Sequence, residues 1–355
     1  MAVQRLFIKE FLQRREKNLL LDVRSPAEFN HAHLPGAYSL PLFSDEERKV
    51  VGTSYKQKSR EEAIRIGLDF FGPKMRKMVE EVEKIVKEKT IESNRPSNPR
   101  DQEIFIYCWR GGMRSAAIAW LLDLYGFKVL TLAGGYKAFR NWVLQVFEQD
   151  FSFQILGGFT GSGKTELLSR LEEKGDQIVD LEKIASHKGS AFGSFKMPPQ
   201  PSQEMFENLL ALELSKKESS NPIWLEDESQ RIGNLNIPGA LWDKMRKAAV
   251  VFLEIPFEER LEHLVLEYGV CERDKLIECV LRIRQRLGGL EAKNTVAFLE
   301  EGDFRNAFGI LLQYYDKRYL KGLHSRDGLT MQITRVFCER VDPDNVQRLI
   351  NYQTV

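Results

Sequence analysis

Short runs of consecutive apolar residues alternate with helix-period segments along most of the chain. LLLDV (19–23) and EIFIYC (103–108) are apolar almost throughout, which predicts strands buried on both faces, as in a parallel sheet. SAAIAWLLDLY (115–125) predicts a helix and Val129–Leu132 a further strand. The same alternation returns after residue 150, with strands predicted in SFQILGGF, NPIWLE and AVVFLEI. The polar, proline-broken stretch NRPSNPRD (94–101) predicts a loop between a charged helix and the strand that ends at Cys108. A domain boundary is expected near Glu148–Phe151, after the helix AFRNWVLQVF, dividing the chain into 1–147 and 148–355. The expected fold class is α/β, two parallel-sheet domains in tandem.

Composition adds limits. A chain of 355 residues is long for one domain, and 43% hydrophobic with 29% charged is the balance of a globular protein. Lys plus Arg is 52 against 51 for Asp plus Glu, so any nucleic-acid surface has to be a local patch. The four cysteines form no C-x-x-C pair and match no zinc spacing. The mixed-charge N-terminal stretch and the absence of an apolar run near 20 residues lead us to expect a cytoplasmic protein and no membrane partner.

Two segments carry chemistry. In IFIYCWRGGMRS, Cys108 ends a strand and is followed by two glycines, Arg110, Arg114 and a helix start. Backbone N–H groups in such a turn form an anion nest, and the arginines add positive charge. Both effects favour the thiolate, the nucleophilic form of cysteine. A merely buried cysteine would call for neither the glycines nor the arginines. Upstream, LLDVRSPAEFNHAHLPGA supplies Asp22, Arg24 and Glu28. These stretches resemble the rhodanese family, in which the cysteine accepts sulfur and passes it on, over most of residues 1–147. Arg114 stands six positions after Cys108, where rhodaneses commonly have it at five. C-x5-R is also the spacing of cysteine phosphatases, so the loop by itself leaves transferase and phosphatase both open.

The second segment, GGFTGSGKT, holds Gly158-x-x-x-x-Gly163-Lys164-Thr165, a complete phosphate-loop pattern between an apolar strand and a helix. Gly158, Gly161, Ser162 and Gly163 would let backbone N–H groups face phosphates. Lys164 supplies a cation, and Thr165 can hold Mg²⁺. The partner carboxylate is expected at the end of another strand. Among Glu226, Asp227 and Glu228 we favour Asp227, with Asp180 as an alternative or an acceptor-orienting group. Arg282, Arg284 and Arg286 lie on one predicted helix, like the arginine-bearing lid of small-molecule kinases. Alternate residues do not share a helix face, so two of them, Arg282 and Arg286, are expected to reach a phosphate. His187 and Ser190, in the glycine-rich HKGSAFG, are further candidates. Cys271, Cys279, Cys338, His263 and His324 have no companions that suggest chemistry and read as structural.

Together the two loops, with VGTSYKQKS (51–59), VDLEKIASHKGSAFG (179–193) and LEDESQRIGN (225–234), resemble the tRNA 2-selenouridine synthase family over nearly the whole chain. The resemblance implies a rhodanese-like domain followed by a P-loop NTPase/kinase-like domain. It implies tRNA carrying 2-thiouridine at the wobble position of the anticodon loop as substrate. It also implies two activities: geranylation of that sulfur from geranyl diphosphate, and replacement of the geranylthio group by selenium from selenophosphate. In that setting Cys108 would hold selenium, with Arg110 and Arg114 on the phosphate. The 158–165 loop would grip geranyl diphosphate or a nucleotide. A wobble base lies in a single-stranded loop, where stacking and backbone contacts suffice. Lys56, Lys58 and Arg60, then Lys74, Arg76 and Lys77, with Tyr55 or Trp109 for stacking, are the candidate contacts, although a solvated charged helix face is the favoured reading of Lys74–Lys77. The alternative is a P-loop kinase or nucleotide hydrolase fused to a sulfurtransferase or cysteine-phosphatase domain.

Overall fold

The computed structural model describes residues 3–92, 102–195, 197–218, 220–324 and 333–353. The loop expected at 94–101 lies outside these residues, as does the side chain of His324. The chain divides into two units, 1–146 with 207–211, and 147–206 with 212–355.

The first unit is built on a five-stranded parallel sheet in the order β1-β5-β4-β2-β3. Its strands are β1 (Gln4–Leu6), β2 (Leu19–Asp22), β3 (Tyr38–Ser39), β4 (Glu103–Tyr107) and β5 (Lys128–Leu132). The inner strands β2 and β4 are covered by helices on both faces, which is why their sequences are continuously apolar. Leu19, Leu21, Ile104, Ile106 and Val82 are fully buried in one core with Ile118 and Leu122 of the helix Met113–Leu124.

Beneath the end of β4 lies a buried ion pair. Arg24 and Asp22 are 1% and 0% exposed, and the guanidinium contacts both carboxylate oxygens at 2.6–3.0 Å. Arg24 also donates to Ala32 O and lies 3.8 Å from the Tyr136 ring centroid, while the Tyr107 hydroxyl donates to Asp22 at 2.8 Å. Through these contacts the pair locks β2 to the strand that carries Cys108. Removing one partner leaves the other charge buried and alone. Arg24→Ala is therefore expected to cost about 3–5 kcal/mol, read as a lower denaturant midpoint for the first unit.

The second unit holds another five-stranded parallel sheet, ordered β12-β11-β6-β8-β7. Its strands are β6 (Phe153–Gly158), β7 (Gln177–Ile178), β8 (Ile223–Glu226), β11 (Ala249–Glu254) and β12 (Ile333–Phe337). A short antiparallel hairpin, β9 (Arg231–Ile232) with β10 (Leu235–Asn236), follows β8. Four helices, Phe257–Tyr268, Arg273–Leu287, Gly289–Glu301 and Phe304–His324, share a separate apolar cluster. Among the described residues no helix is long and apolar enough to cross a membrane.

Candidate active site

In the first unit the turn after β4 leads directly into the helix Met113–Leu124. Gly111 takes φ +62°, and a Cβ there would stand 2.4 Å from Leu132 O, so the turn needs glycine. The loop is pinned from behind by Tyr136 N–H and Lys137 N–H, which donate to the carbonyls of Cys108 and Trp109. Cys108 is 3% exposed, with Sγ 3.2 Å from Ser115 Oγ, while Trp109 and Arg110 face solvent. Arg114 differs from expectation. Instead of standing free over the loop, its guanidinium is paired with Glu28 at 2.7 Å. Burial alone would raise the Glu28 carboxyl, but the hydrogen bond and charge of Arg114 bring it below its ordinary value. Glu28 also accepts Ser25 N–H at 3.0 Å, which fixes it in place. Of the two loop arginines, Arg110 thus faces solvent while Arg114 is already balanced by Glu28.

The residues expected to contact RNA are likewise partly engaged. Lys74 is paired with Glu47, and Arg76 donates to Glu80 at 2.8 Å. Tyr55 is exposed, as are Lys56, Lys58 and Arg60 beside it.

In the second unit the phosphate loop joins central strand β6 to the helix Lys164–Glu173, so it sits at the carboxyl end of the sheet. Gly158, Gly161 and Gly163 all have positive φ, and a Cβ at Gly161 would meet Arg260 O at 2.9 Å. Ser162 Oγ closes the turn on Phe159 O at 2.7 Å, and Lys164 Nζ donates to Gly158 O at 3.3 Å. Behind the loop Arg260, 3% exposed, donates to Thr160 O and forms a two-pronged pair with Asp316 at 2.8 and 3.0 Å. The sequence analysis did not single out this brace. Its members lie 56 residues apart, and only the packing of two helices joins them.

The partner of Thr165 is Glu226, not Asp227. Thr165 Oγ1 donates to Glu226 Oε1 at 2.7 Å and lies 3.4 Å from Glu182 Oε2. Glu226 is the last residue of β8 and its carboxylate meets Thr165, and that of Glu228 joins the same cluster. Asp227 instead accepts the Tyr319 hydroxyl at 2.6 Å. Asp180 also departs from its expected role: it caps the helix Leu181–Ala185, accepting Lys183 N–H at 2.8 Å. Two residues on, Glu182 takes the place beside Thr165. One oxygen each of Glu182, Glu226 and Glu228 lies within 4.8 Å of the others. Burial, followed by the Glu226 charge, pushes the Glu182 carboxyl up to about 8. Burial raises Glu226 as well, and raises Glu228 well above the carboxylate range.

These groups face a cavity of about 1860 Å³. Gly189, at φ +63°, lets the 186–195 loop close over Glu228, where a Cβ would fall 2.4 Å from its carboxylate. His187 lines the cavity, with its Nδ1 buried and unpartnered. Burial and then the nearby Arg282 lower its pKa, so the ring is neutral near pH 7. Ser190 lines the wall too. Arg282 and Arg286 both reach the cavity and Arg284 does not, as their spacing on one helix predicts. His263, read as structural, also lines it. Cys279 and Cys338 are buried, and Cys271 is partly so.

Comparison with known proteins places both units. The profile of the tRNA 2-selenouridine synthase AAA domain matches residues 151–336, and that of the Rhodanese-like domain matches 7–141. The chain is 35% identical to the tRNA 2-selenouridine synthase of Pseudomonas fluorescens (strain Pf0-1), over 85% of this chain and 87% of that protein. It is 38% identical to that of Shewanella denitrificans, over 79% and 72%. It is 39% identical to that of Hydrogenovibrio crunogenus, over 77% of each. Identity at this level across both units, with the cysteine and phosphate loops in the same chain, makes this protein a member of the tRNA 2-selenouridine synthase family.

Proposed function

We propose that this protein is a tRNA-modifying transferase that converts wobble 2-thiouridine to 2-selenouridine through an S-geranylated intermediate. The observation that supports it most is the size and character of the cavity at the phosphate loop. At about 1860 Å³ it exceeds the ~300–1000 Å³ of ordinary small-molecule sites, and arginines and tyrosines line it beside the loop. A diphosphate and an extruded nucleoside need that combined space.

In the first step the 2-thio sulfur forms a bond to C1 of the geranyl group. The C1–O bond breaks, and its electron pair leaves with diphosphate. The backbone N–H groups of 158–165 and Lys164 receive that charge as it develops. Arg282 and Arg286, four residues apart on one helix face, close on the same anion. In the second step the selenium of selenophosphate forms a bond to C2, and the C2–S bond breaks with its electron pair leaving as geranylthiolate. Water then cleaves the Se–P bond and carries off phosphate. Here Cys108 holds the selenium donor at its loop, with Arg110 on the phosphate and Arg114 positioned by Glu28.

Mg²⁺ suits the Thr165 hydroxyl and the Glu182, Glu226 and Glu228 carboxylates. All four are hard oxygen donors, and one oxygen of each carboxylate lies within 4.8 Å of the others, with Lys164 the nearby cation. Bound there, the ion would neutralise a departing diphosphate. Between about pH 4.5 and 8 the folded protein retains a proton on Glu182 that the unfolded chain has lost. Stability without a divalent ion should accordingly fall as pH rises through that window. Thermal melts should show Mg²⁺ raising Tm more at pH 8 than at pH 6, because protons compete for the same oxygens. An equal shift at both pH values would place the ion elsewhere.

Nucleoside mass spectrometry on 2-thiouridine tRNA, incubated with the protein, geranyl diphosphate and selenophosphate, tests the whole reading. The geranylated nucleoside should appear first and the seleno form should follow. Unaltered tRNA with rapid Lys164-dependent ATP turnover would favour the fused kinase or hydrolase, to which the two lid-like arginines also point.

A further inference from the structure

Beside the phosphate loop a second, narrower space lies against the main cavity. It runs from Thr160 between Leu264, Tyr268, Phe192, Phe308 and Leu311, and its walls are almost wholly apolar. Thr160, Ser190, Leu264, Tyr268 and Tyr315 border both spaces, so the slot adjoins the phosphate site. Leu264 marks the junction: its Cγ lies 3.0 Å from where a Cβ on Gly161 would stand.

Two of the polar groups at the slot already have backbone partners. The Tyr315 hydroxyl accepts Ala191 N–H at 3.2 Å, and Ser190 Oγ accepts Phe192 N–H at 3.2 Å. A purine or pyrimidine edge entering here would lose its water contacts and find few replacements. An alkyl chain loses nothing on entry and gains by leaving water. The slot measures about 40 Å³, room for roughly three waters at ~10–15 Å³ each, or on the order of one branched five-carbon unit. Phe192, Tyr268 and Phe308 close it, with ring centroids 6.1–6.2 Å apart at successive contacts.

We propose that this slot takes the distal end of the apolar chain of a diphosphate ester whose phosphates rest on residues 158–165, and that the ring of Phe308 sets the chain length accepted. The inference rests on the geranyl-transfer reading above and supplies the chain site that no sequence motif marked.

Calorimetry on the full chain with inorganic, dimethylallyl, geranyl and farnesyl diphosphate tests it, alongside prenyl transfer to 2-thiouridine tRNA. Affinity should rise about 100-fold from inorganic to geranyl diphosphate, as several methylene-sized groups are buried. It should rise no further for farnesyl diphosphate. Phe308→Ala should shift the farnesyl-to-geranyl preference about tenfold toward the longer chain, and Phe308→Leu should shift it less, in the same direction. If Phe308→Ala does not fold, the leucine variant carries the comparison. Equal affinity for all four diphosphates, or an unchanged preference in a folded variant, overturns the slot. Graded affinity without any transfer to tRNA would keep the slot and defeat the geranylation reading instead.

Discussion

Lys164→Ala is expected to lower kcat/KM for prenyl transfer by about 100–1000-fold while the protein stays folded. The size of the effect follows from where the ammonium stands. It lies at the start of the helix Lys164–Glu173, within 3.3 Å of Gly158 O, so the loop backbone and the lysine converge on one spot. Charge that appears on a departing diphosphate meets donors already in place, and losing one such donor costs two to three powers of ten. The ammonium also offsets the three crowded carboxylates behind Thr165. Its removal should therefore raise the divalent-ion concentration needed for thermal stabilisation. Transfer assays with geranyl diphosphate, paired with melts at several Mg²⁺ concentrations, separate the two contributions. Unchanged transfer would remove the phosphate loop from the reaction.

Cys108→Ala should divide the two activities. Geranylation is expected to continue near the native rate, and conversion of the geranylated nucleoside to the seleno form should stop. The sulfur leaves a nearly closed position, 3% exposed against Ser115, so the substitution removes one reactive atom and little packing. The geranylated nucleoside should then accumulate in the mass spectrum. A variant that still forms the seleno nucleoside would show that Cys108 does not hold selenium. Arg114→Ala is a useful contrast, because it leaves the partly buried Glu28 with only the longer Arg48 contact, at 3.9 Å, as counter-charge. Its effect should appear first as lower stability and only then as slower selenium transfer.

Local patterns were enough to establish the α/β class, the cysteine turn and the phosphate loop. Each is specified by residues adjacent in sequence: an apolar run, then glycines with positive φ, then a helix start. The spacing of Arg282 and Arg286 gave their shared face for the same reason. Fold and family thus follow from contiguous stretches, and the comparisons extend them across both units.

The partners of those motifs were another matter. Glu226 and Asp227 are neighbours in sequence and equally acidic, and only the register of β8 against β6 decides which of them turns toward Thr165. Glu182 joins that site from a helix whose start is capped by Asp180, the carboxylate that the sequence offered as the alternative to Asp227. Glu28 neutralises Arg114 across 86 residues, and Arg260 meets Asp316 across 56. The apolar slot has no motif because Phe192, Leu264 and Phe308 come from three separate segments. A sequence determines what its neighbouring residues can do together. Which distant side chains neutralise or surround them depends on strand register and helix packing, and these were decided only by the tertiary structure.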